Sequence, residues 1–131
     1  MFIEFTVSDV LPATPDAVYE AWMSSDGHAA MTGAPARVDP AVGGEFEAWD
    51  GYISGRTLAL EPGRRIVQSW RTTDFAGGDA DSAIDILLEE VEAGTRVTLR
   101  HTGIPDGQPD YAQGWRDYYF DPMREHFGAS S

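Results

Sequence analysis

The histidines and the adjacent acids are the first residues to consider for catalysis or metal binding. His28, His101 and His126 are scattered along the chain, without a His-Glu-x-x-His pair or any other metal-ligand spacing. The sequence also lacks a Gly-x-Ser-x-Gly elbow and a phosphate-binding glycine loop. Glu89 and Glu90 are neighbours, so they point to opposite faces of a strand and cannot act as a paired acid and base. We therefore expect no catalytic residue, no metal ligand and no cofactor.

His101 has the strongest claim to chemistry among these residues. It closes the extended segment TLRHTG (98–103), where it could face an internal cavity and titrate near neutral pH. A lone histidine in a strand is more often a hydrogen-bonded structural residue, and no second titratable group can be placed beside it. Both interpretations stay open at this point.

The segment RRIVQSWR (64–71) carries a polar and an aromatic side chain that could line a cavity. Ile66, Gln68 and Trp70 alternate onto one face of a strand. If that face looks inward, Gln68 offers a donor and an acceptor to a ligand, and Trp70 offers a flat wall.

In the segment GEFEAWD (44–50), the charges of Glu45 and Glu47 predict that Phe46 points inward and Trp49 outward. An outward Trp49, next to a strand 64–70 with apolar residues on both faces, would form an apolar patch that monomers rarely expose. This patch predicts a homodimer, with a different protein partner as the alternative.

Composition limits the classes of partner and the setting. A chain of 131 residues fits one domain, expected to span 1–131, and the absence of cysteine excludes disulfides and thiol chemistry. All nine basic residues are arginine, and the net charge of -13 disfavours nucleic acid and anionic membrane surfaces as partners. Without a signal peptide or a long apolar run, we expect a cytoplasmic protein.

The elements that must position these residues follow from periodicity and turn chemistry. MFIEFTVSDV (1–10) alternates like a half-buried strand, and Thr14 and Ser24 or Ser25 can cap two short helices that end near Met23 and Gly33. From residue 36 to 103, six extended segments are separated by short turns rich in glycine, proline and aspartate. No separator can hold a crossover helix, so the sheet is predicted to be antiparallel.

A long C-terminal helix is predicted from Asp110 to Phe127. Asp110 can cap it, and Pro122 should remove one ladder bond and bend the helix near Tyr118. Gly114 costs about 1 kcal/mol against alanine, which indicates a close approach to a neighbouring backbone. One broad side of the helix collects the apolar and aromatic residues: Tyr111, Ala112, Trp115, Tyr118, Tyr119, Pro122 and Met123.

Assembled in this order, the sequence resembles the helix-grip fold of the START and Bet v 1 superfamily. Within it, the chain is similar to bacterial proteins that resemble the C-terminal domain of the Hsp90 ATPase activator. The likeness rests on TPDAVYEAW (14–22), GGEFEAWDGYISGRTLALEPGRRIVQSWR (43–71), LLEEVEAGTRVTLRHTGIP (87–105) and GWRDYYFDPMREHF (114–127). It implies an α+β fold in which a seven-stranded antiparallel sheet curls around the long C-terminal helix, with two short helices after the first strand.

The resemblance also implies an internal cavity between sheet and helix that holds an apolar or amphipathic small molecule. A dry, close-packed core is the alternative use of the same aromatic residues. The candidate ligand-binding residues are Phe46, Gln68, Trp70, His101, Trp115, Tyr118, Tyr119 and Met123.

Three functions fit such a domain, because similar cavities in this superfamily serve binding, catalysis and interaction. The first is small-molecule binding. The second is an enzyme similar to the aromatic cyclases, in which His101, Tyr119 or Arg56 assists proton transfer. The third is a protein-interaction role that resembles co-chaperone activation.

Overall fold

The computed structural model describes residues 2–129 and contains one antiparallel sheet of seven strands, which confirms the predicted fold. The strands lie in the spatial order β1-β7-β6-β5-β4-β3-β2, so the first and last strands are neighbours. The strands are β1 (Ile3–Leu11), β2 (Ala36–Val38), β3 (Glu45–Ala48), β4 (Ile53–Glu61), β5 (Arg65–Thr72), β6 (Ser82–Val91) and β7 (Gly94–Ile104).

Two short helices follow β1, as predicted. Helix α1 (Pro15–Trp22) begins where the Thr14 hydroxyl accepts a hydrogen bond from the amide of Ala17. Helix α2 (Ser25–Thr32) is capped in the same way by Ser24 and ends at Gly33, whose φ of 80° is in the left-handed region that glycine adopts without strain.

The C-terminal helix is continuous but changes its hydrogen-bond spacing in the middle. Helix α3 (Tyr111–Trp115) passes into one π-helical turn (Arg116–Phe120) and then into helix α4 (Asp121–Ala129). In the π turn, the amide of Asp121 donates to the carbonyl of Arg116, five residues earlier. Pro122 has no N–H for the carbonyl of Tyr118, so the ladder bond predicted to be missing falls within this turn.

The buried face of the sheet is built from rows of side chains that run across the strands. Ile66, Ile86, Leu99 and Val7 are register partners on four successive strands, and each is at most 4% exposed. The same alternation buries Gln68 and Trp70 on β5, so this face of β5 looks inward. Across it lie the helix residues Trp115, Tyr119 and Met123, which are buried as expected for the side of the helix that faces the sheet.

The prediction for Trp49 is wrong. Strand β3 ends at Ala48, and Trp49 and Asp50 then adopt φ angles of 53° and 56° before Gly51 at 87°. This left-handed turn carries the Trp49 side chain to the helix, where its ring meets that of Tyr118 at 5.5 Å. Residues other than glycine adopt this conformation at a cost of roughly 1–2 kcal/mol each.

The outward apolar patch that predicted a homodimer is therefore absent from the described chain. Trp49 is half-buried, and β5 alternates between half-buried and buried residues, so one of its faces is fully covered. Among residues 2–129, no helix is both long and apolar enough to cross a bilayer.

Candidate functional site

An aromatic cleft of about 410 Å³ lies between the C-terminal helix and the strand ends beside it. Three pieces of chain surround it: the turn after β3 with the first residue of β4, the last part of β5 at Trp70, and the segment that enters and forms the C-terminal helix. Seven of its eleven lining residues are aromatic, and the full set is Trp49, Tyr52, Ile53, Trp70, Pro109, Asp110, Tyr111, Gly114, Trp115, Tyr118 and Tyr119.

Gly114 opens the helix side of this cleft. A Cβ atom added to Gly114 would meet no atom within 4 Å, although the residue lines the cleft. The prediction that Gly114 allows close approach of a neighbouring backbone is therefore wrong. The missing side chain leaves open space in front of the helix instead.

The aromatic walls of the cleft are braced by ring-to-ring packing. Trp70 packs edge-on against Tyr111, with ring centroids 4.9 Å apart, and at a tilt against Trp115, at 5.6 Å. Trp49 and Tyr118 form a second edge-on pair at the other end of the helix segment. Trp115 is 3% exposed, whereas Tyr118 is 59% exposed, so the cleft runs from the core to the surface.

Two tyrosine hydroxyls at the cleft are held by neighbouring polar groups. The Tyr52 hydroxyl donates to Asp74 at 2.6 Å, and the Tyr111 hydroxyl donates to Gln108 at 2.8 Å. Since Tyr111 uses its hydrogen on Gln108, the Thr72 hydroxyl is the donor in their 2.7 Å contact. Burial raises the pKa of both tyrosines, so both hydroxyls stay protonated.

His101 lies behind the cleft wall and is fully buried. The Trp115 indole N–H donates to its Nδ1 at 3.1 Å, so the ring proton lies on Nε2, which contacts the Ser82 hydroxyl at 2.8 Å. Ser82 passes its own hydrogen to the carbonyl of Trp70. Burial lowers the pKa of His101 to about 3, and the ring is a neutral structural group with both nitrogens occupied.

A second buried histidine orients the hydroxyl of Tyr119. The backbone carbonyl of Trp22 can only accept, so Nδ1 of His28 carries the proton in their 3.0 Å contact. Nε2 of His28 then accepts from the Tyr119 hydroxyl at 2.8 Å. Burial lowers the pKa of His28 and raises that of Tyr119, and both changes favour this neutral pair.

The indole nitrogen of Trp49 is buried and has no hydrogen-bond partner among residues 2–129. It is close enough to the Tyr119 hydroxyl to oppose, in small part, the rise in the pKa of Tyr119 that burial causes. The two groups do not reach hydrogen-bond geometry. An unpaired donor and a left-handed backbone thus coincide in the turn that closes one end of the cleft.

The structure brings together half of the eight candidate residues at this cleft. Trp70, Trp115, Tyr118 and Tyr119 line it. The other four are buried elsewhere and do not line it, namely Phe46, Gln68, His101 and Met123.

Gln68 shows why a buried polar side chain on the inner face need not meet a ligand. Its Oε1 accepts from the indole N–H of Trp22 at 3.1 Å, and its Nε2 donates to the Thr57 hydroxyl at 3.2 Å. Both ends of the amide are therefore used inside the protein. Arg56 points away from the core and pairs with Glu45 at the surface.

Of the other seven lining residues, Tyr111 and Gly114 are in α3, and most of the rest come from two turns that sequence reasoning did not assign to a site. Tyr52 and Ile53 follow the left-handed turn after β3, and Pro109 and Asp110 precede the helix. The sequence signal for these two turns was an aromatic residue directly after each: Tyr52 follows WDG (49–51), and Tyr111 follows QPD (108–110).

A sheet that holds a long helix across its buried face, with an aromatic cleft between them, defines a helix-grip domain of the Bet v 1-like class. The family model described as "Activator of Hsp90 ATPase homolog 1-like protein" matches residues 12–128, and the chain belongs to this family.

Similar proteins are found among curated sequences and solved structures. The human "Activator of 90 kDa heat shock protein ATPase homolog 1" is 28% identical over 126 residues, which cover 95% of this chain and 37% of the human protein. The chain thus spans about a third of the length of the curated relatives it matches.

Two solved structures are similar in fold. The crystal structure of an HSP90 activator from Plasmodium falciparum has a TM-score of 0.86 at 21% identity and covers 96% of both chains. The solution structure of the Aha1 dimer from Colwellia psychrerythraea has a TM-score of 0.78 at 16% identity and covers 95% of this chain and 96% of its own.

Proposed function

We propose that this domain binds an apolar or amphipathic small molecule in the aromatic cleft. The observation that carries the proposal is the open space in front of Gly114, which is surrounded by seven aromatic side chains. A dry core would fill such space, because protein interiors are normally close-packed. The cleft volume of about 410 Å³ also lies within the roughly 300–1,000 Å³ range of small-molecule sites.

The polar groups near the cleft favour binding over catalysis, because they are not free to exchange protons with a ligand. A general acid or base must exchange a proton with its substrate near the working pH. His101 is neutral with both nitrogens engaged, and the Tyr119 hydroxyl is committed to His28. Arg56 pairs with Glu45 at the surface, so the three residues of the cyclase-like alternative do not meet at the cleft.

Substitutions that fill the cleft test the proposal without removing a wall. Gly114→Leu places a side chain in the open space, and it should raise helix stability by up to about 1 kcal/mol because glycine is a poor helix former. We expect the affinity for the neutral fluorescent probe Nile red to fall about tenfold or more, with Gly114→Ala in between. The melting temperature should stay level or rise.

Gly128→Leu is the matched control. Gly128 lies in α4 outside the cleft lining, and a Cβ atom there would lie 3.8 Å from Pro12, an ordinary contact. This variant should bind Nile red like the unmodified protein. If Gly114→Leu binds the probe with unchanged affinity, the cleft is not the binding site and the proposal fails.

Activation of an Hsp90-type ATPase is the second candidate, and it is favoured by the name of the human relative that matches 95% of this chain. The test is the rate of ATP hydrolysis by an Hsp90-type chaperone with and without this protein. Stimulation that survives Gly114→Leu would assign the activity to the outer surface instead of the cleft. An unchanged rate would reject this candidate.

We also infer that the protein is a cytoplasmic homodimer. The apolar patch that predicted a dimer from the sequence is absent, so this inference rests on a similar structure instead. The Colwellia protein of the same fold is described as a dimer, which supports looking for one here. Light scattering coupled to size-exclusion chromatography should then give twice the chain mass of 14.3 kDa. A mass equal to one chain at micromolar concentration would contradict the dimer.

A further inference from the structure

The charged and hydroxyl groups at the cleft are unevenly divided between hydrogen-bond donors and acceptors. Asp110 is the one charged residue among the described residues that line it, and no arginine or histidine belongs to that lining. One further exposed carboxylate adjoins the cleft, because Asp74 accepts from the hydroxyl of the lining residue Tyr52, and the exposed Asp50 follows Trp49 in the chain. The entrance is therefore acidic, within a chain of net charge -13.

The lining hydroxyls increase this imbalance. Tyr52, Tyr111 and Tyr119 donate their hydrogens to Asp74, Gln108 and His28 respectively. None of these three hydroxyls has a hydrogen left to donate to a ligand, and that of Tyr111 already accepts from Thr72. A ligand that carries hydrogen-bond donors or a positive charge is thus better matched than an anion.

The helix side of the cleft places its acid and an aromatic ring at opposite ends of the open space. Asp110 at the start of the helix, Gly114 in α3 and Tyr118 in the π-helical turn all line the cleft, so they share its open space along roughly 12 Å of helix. Gly114 lies between Asp110 and Tyr118 in the chain, and a Cβ atom there would meet no atom within 4 Å. Aromatic rings also attract cations, because their faces carry negative charge density.

We propose that the cleft selects an organic cation: an ammonium group near Asp110, carried on an apolar body that lies over Gly114 towards Tyr118. This rests on the proposed function, since it names the class of small molecule that the cleft would bind. The unpaired indole N–H of Trp49 is a donor that could attract an anion. That nitrogen is buried, however, so an acceptor can reach it only if the indole ring turns. The exposed carboxylates act on a ligand without any such rearrangement.

Three probes of similar shape and different charge test the proposal: benzyltrimethylammonium, its neutral carbon analogue neopentylbenzene, and benzylsulfonate. Affinities are measured by tryptophan fluorescence or by chemical-shift titration. We expect the cation to bind roughly tenfold or more tightly than the anion, from the combined cation–π and charge terms. Added salt should weaken the binding of the cation and leave that of the neutral probe nearly unchanged.

Asp110→Asn isolates the carboxylate. Asp110 caps the helix by accepting from the amide of Gln113, and asparagine is an equally good cap, so the fold should be retained. The affinity for the cation should fall roughly two- to fivefold, the size expected for an exposed charge pair, while the neutral probe is unaffected. Glu92→Gln removes the same charge from an exposed turn outside the cleft and should leave all three affinities unchanged.

The possible failures are distinguishable. If the neutral probe binds but the anion binds as tightly as the cation, or if Asp110→Asn changes cation binding no more than Glu92→Gln, the choice of a cation is wrong and the cleft remains a binding site. If none of the three probes binds while Nile red binds in a way that depends on Gly114, the choice of a cation is wrong and the proposed function stands; if Nile red also fails to bind, both are overturned.

Discussion

Lowering the pH from 7 to 5 should destabilise the protein through His101. The folded state holds this imidazole neutral, because it is fully buried, accepts from Trp115 at Nδ1 and donates from Nε2 to Ser82. Its pKa is about 3 in the folded protein and about 6.5 in an unfolded chain. Between these values the unfolded chain binds more protons, so the free energy of unfolding falls as the pH falls.

The size of the effect follows from the part of the shift that lies inside the pH window. Between the unfolded pKa of about 6.5 and pH 5 lie about 1.5 pH units. At 1.36 kcal/mol per unit, the free energy of unfolding falls by about 2 kcal/mol over this interval. The pKa of His28 is lowered by burial as well, so its contribution has the same sign. The measurement stops at pH 5 because aspartate and glutamate in model peptides titrate near pH 4.

Urea unfolding at pH 7 and at pH 5, followed by tryptophan fluorescence, measures this difference directly. His101→Gln cannot titrate, so its loss of stability between the two pH values should be smaller by about 2 kcal/mol, whatever its stability at pH 7. The carbon-bound ring protons of His101 report its charge by NMR in the folded protein. Titration of those signals near pH 6.5, or equal losses in the variant and the unmodified protein, would refute the reasoning.

Three further predictions concern charge, the helix and the sheet. The melting temperature should rise between about 10 mM and 200 mM sodium chloride, because salt screens the repulsion within a surface of net charge -13; a flat or falling curve would contradict this. Ending the chain after Gly107 should give insoluble protein, since the buried face of the sheet loses its cover; a soluble truncated chain would show that the helix is dispensable. Gly55→Ala should cost several kcal/mol in urea unfolding, because its Cβ would lie 1.9 Å from the Ser69 carbonyl oxygen, whereas Gly77→Ala, which meets no atom within 4 Å, should change stability little.

The order and type of the elements could be predicted from the sequence because they depend on near neighbours. A period of two residues marked the strands, and the caps Thr14, Ser24 and Asp110 marked where helices begin. The alternation on β5 likewise predicted that Ile66 and Trp70 share one face, while the structure shows that this face is the inner one. Each of these features is decided by side chains within a few positions along the chain.

The position of the cleft was decided by tertiary structure. Trp49 turns towards the helix because two residues that rarely adopt positive φ do so in succession, which no local preference predicts. Gly114 faces open space instead of a backbone because the helix has one particular rotation on the sheet.

The protonation of the buried groups also depends on tertiary contacts. Sequence reasoning left His101 open between a structural and a functional role, and it did not single out His28, whose partner Tyr119 lies 91 residues away along the chain. Sequence reasoning left open whether Gln68 faces inward; it does, and its amide is used by Trp22 and Thr57. Periodicity predicts which residues share a face of an element. The hydrogen-bond partner of a buried polar atom depends instead on how whole elements pack, because two atoms from distant segments must be brought to about 3 Å from each other.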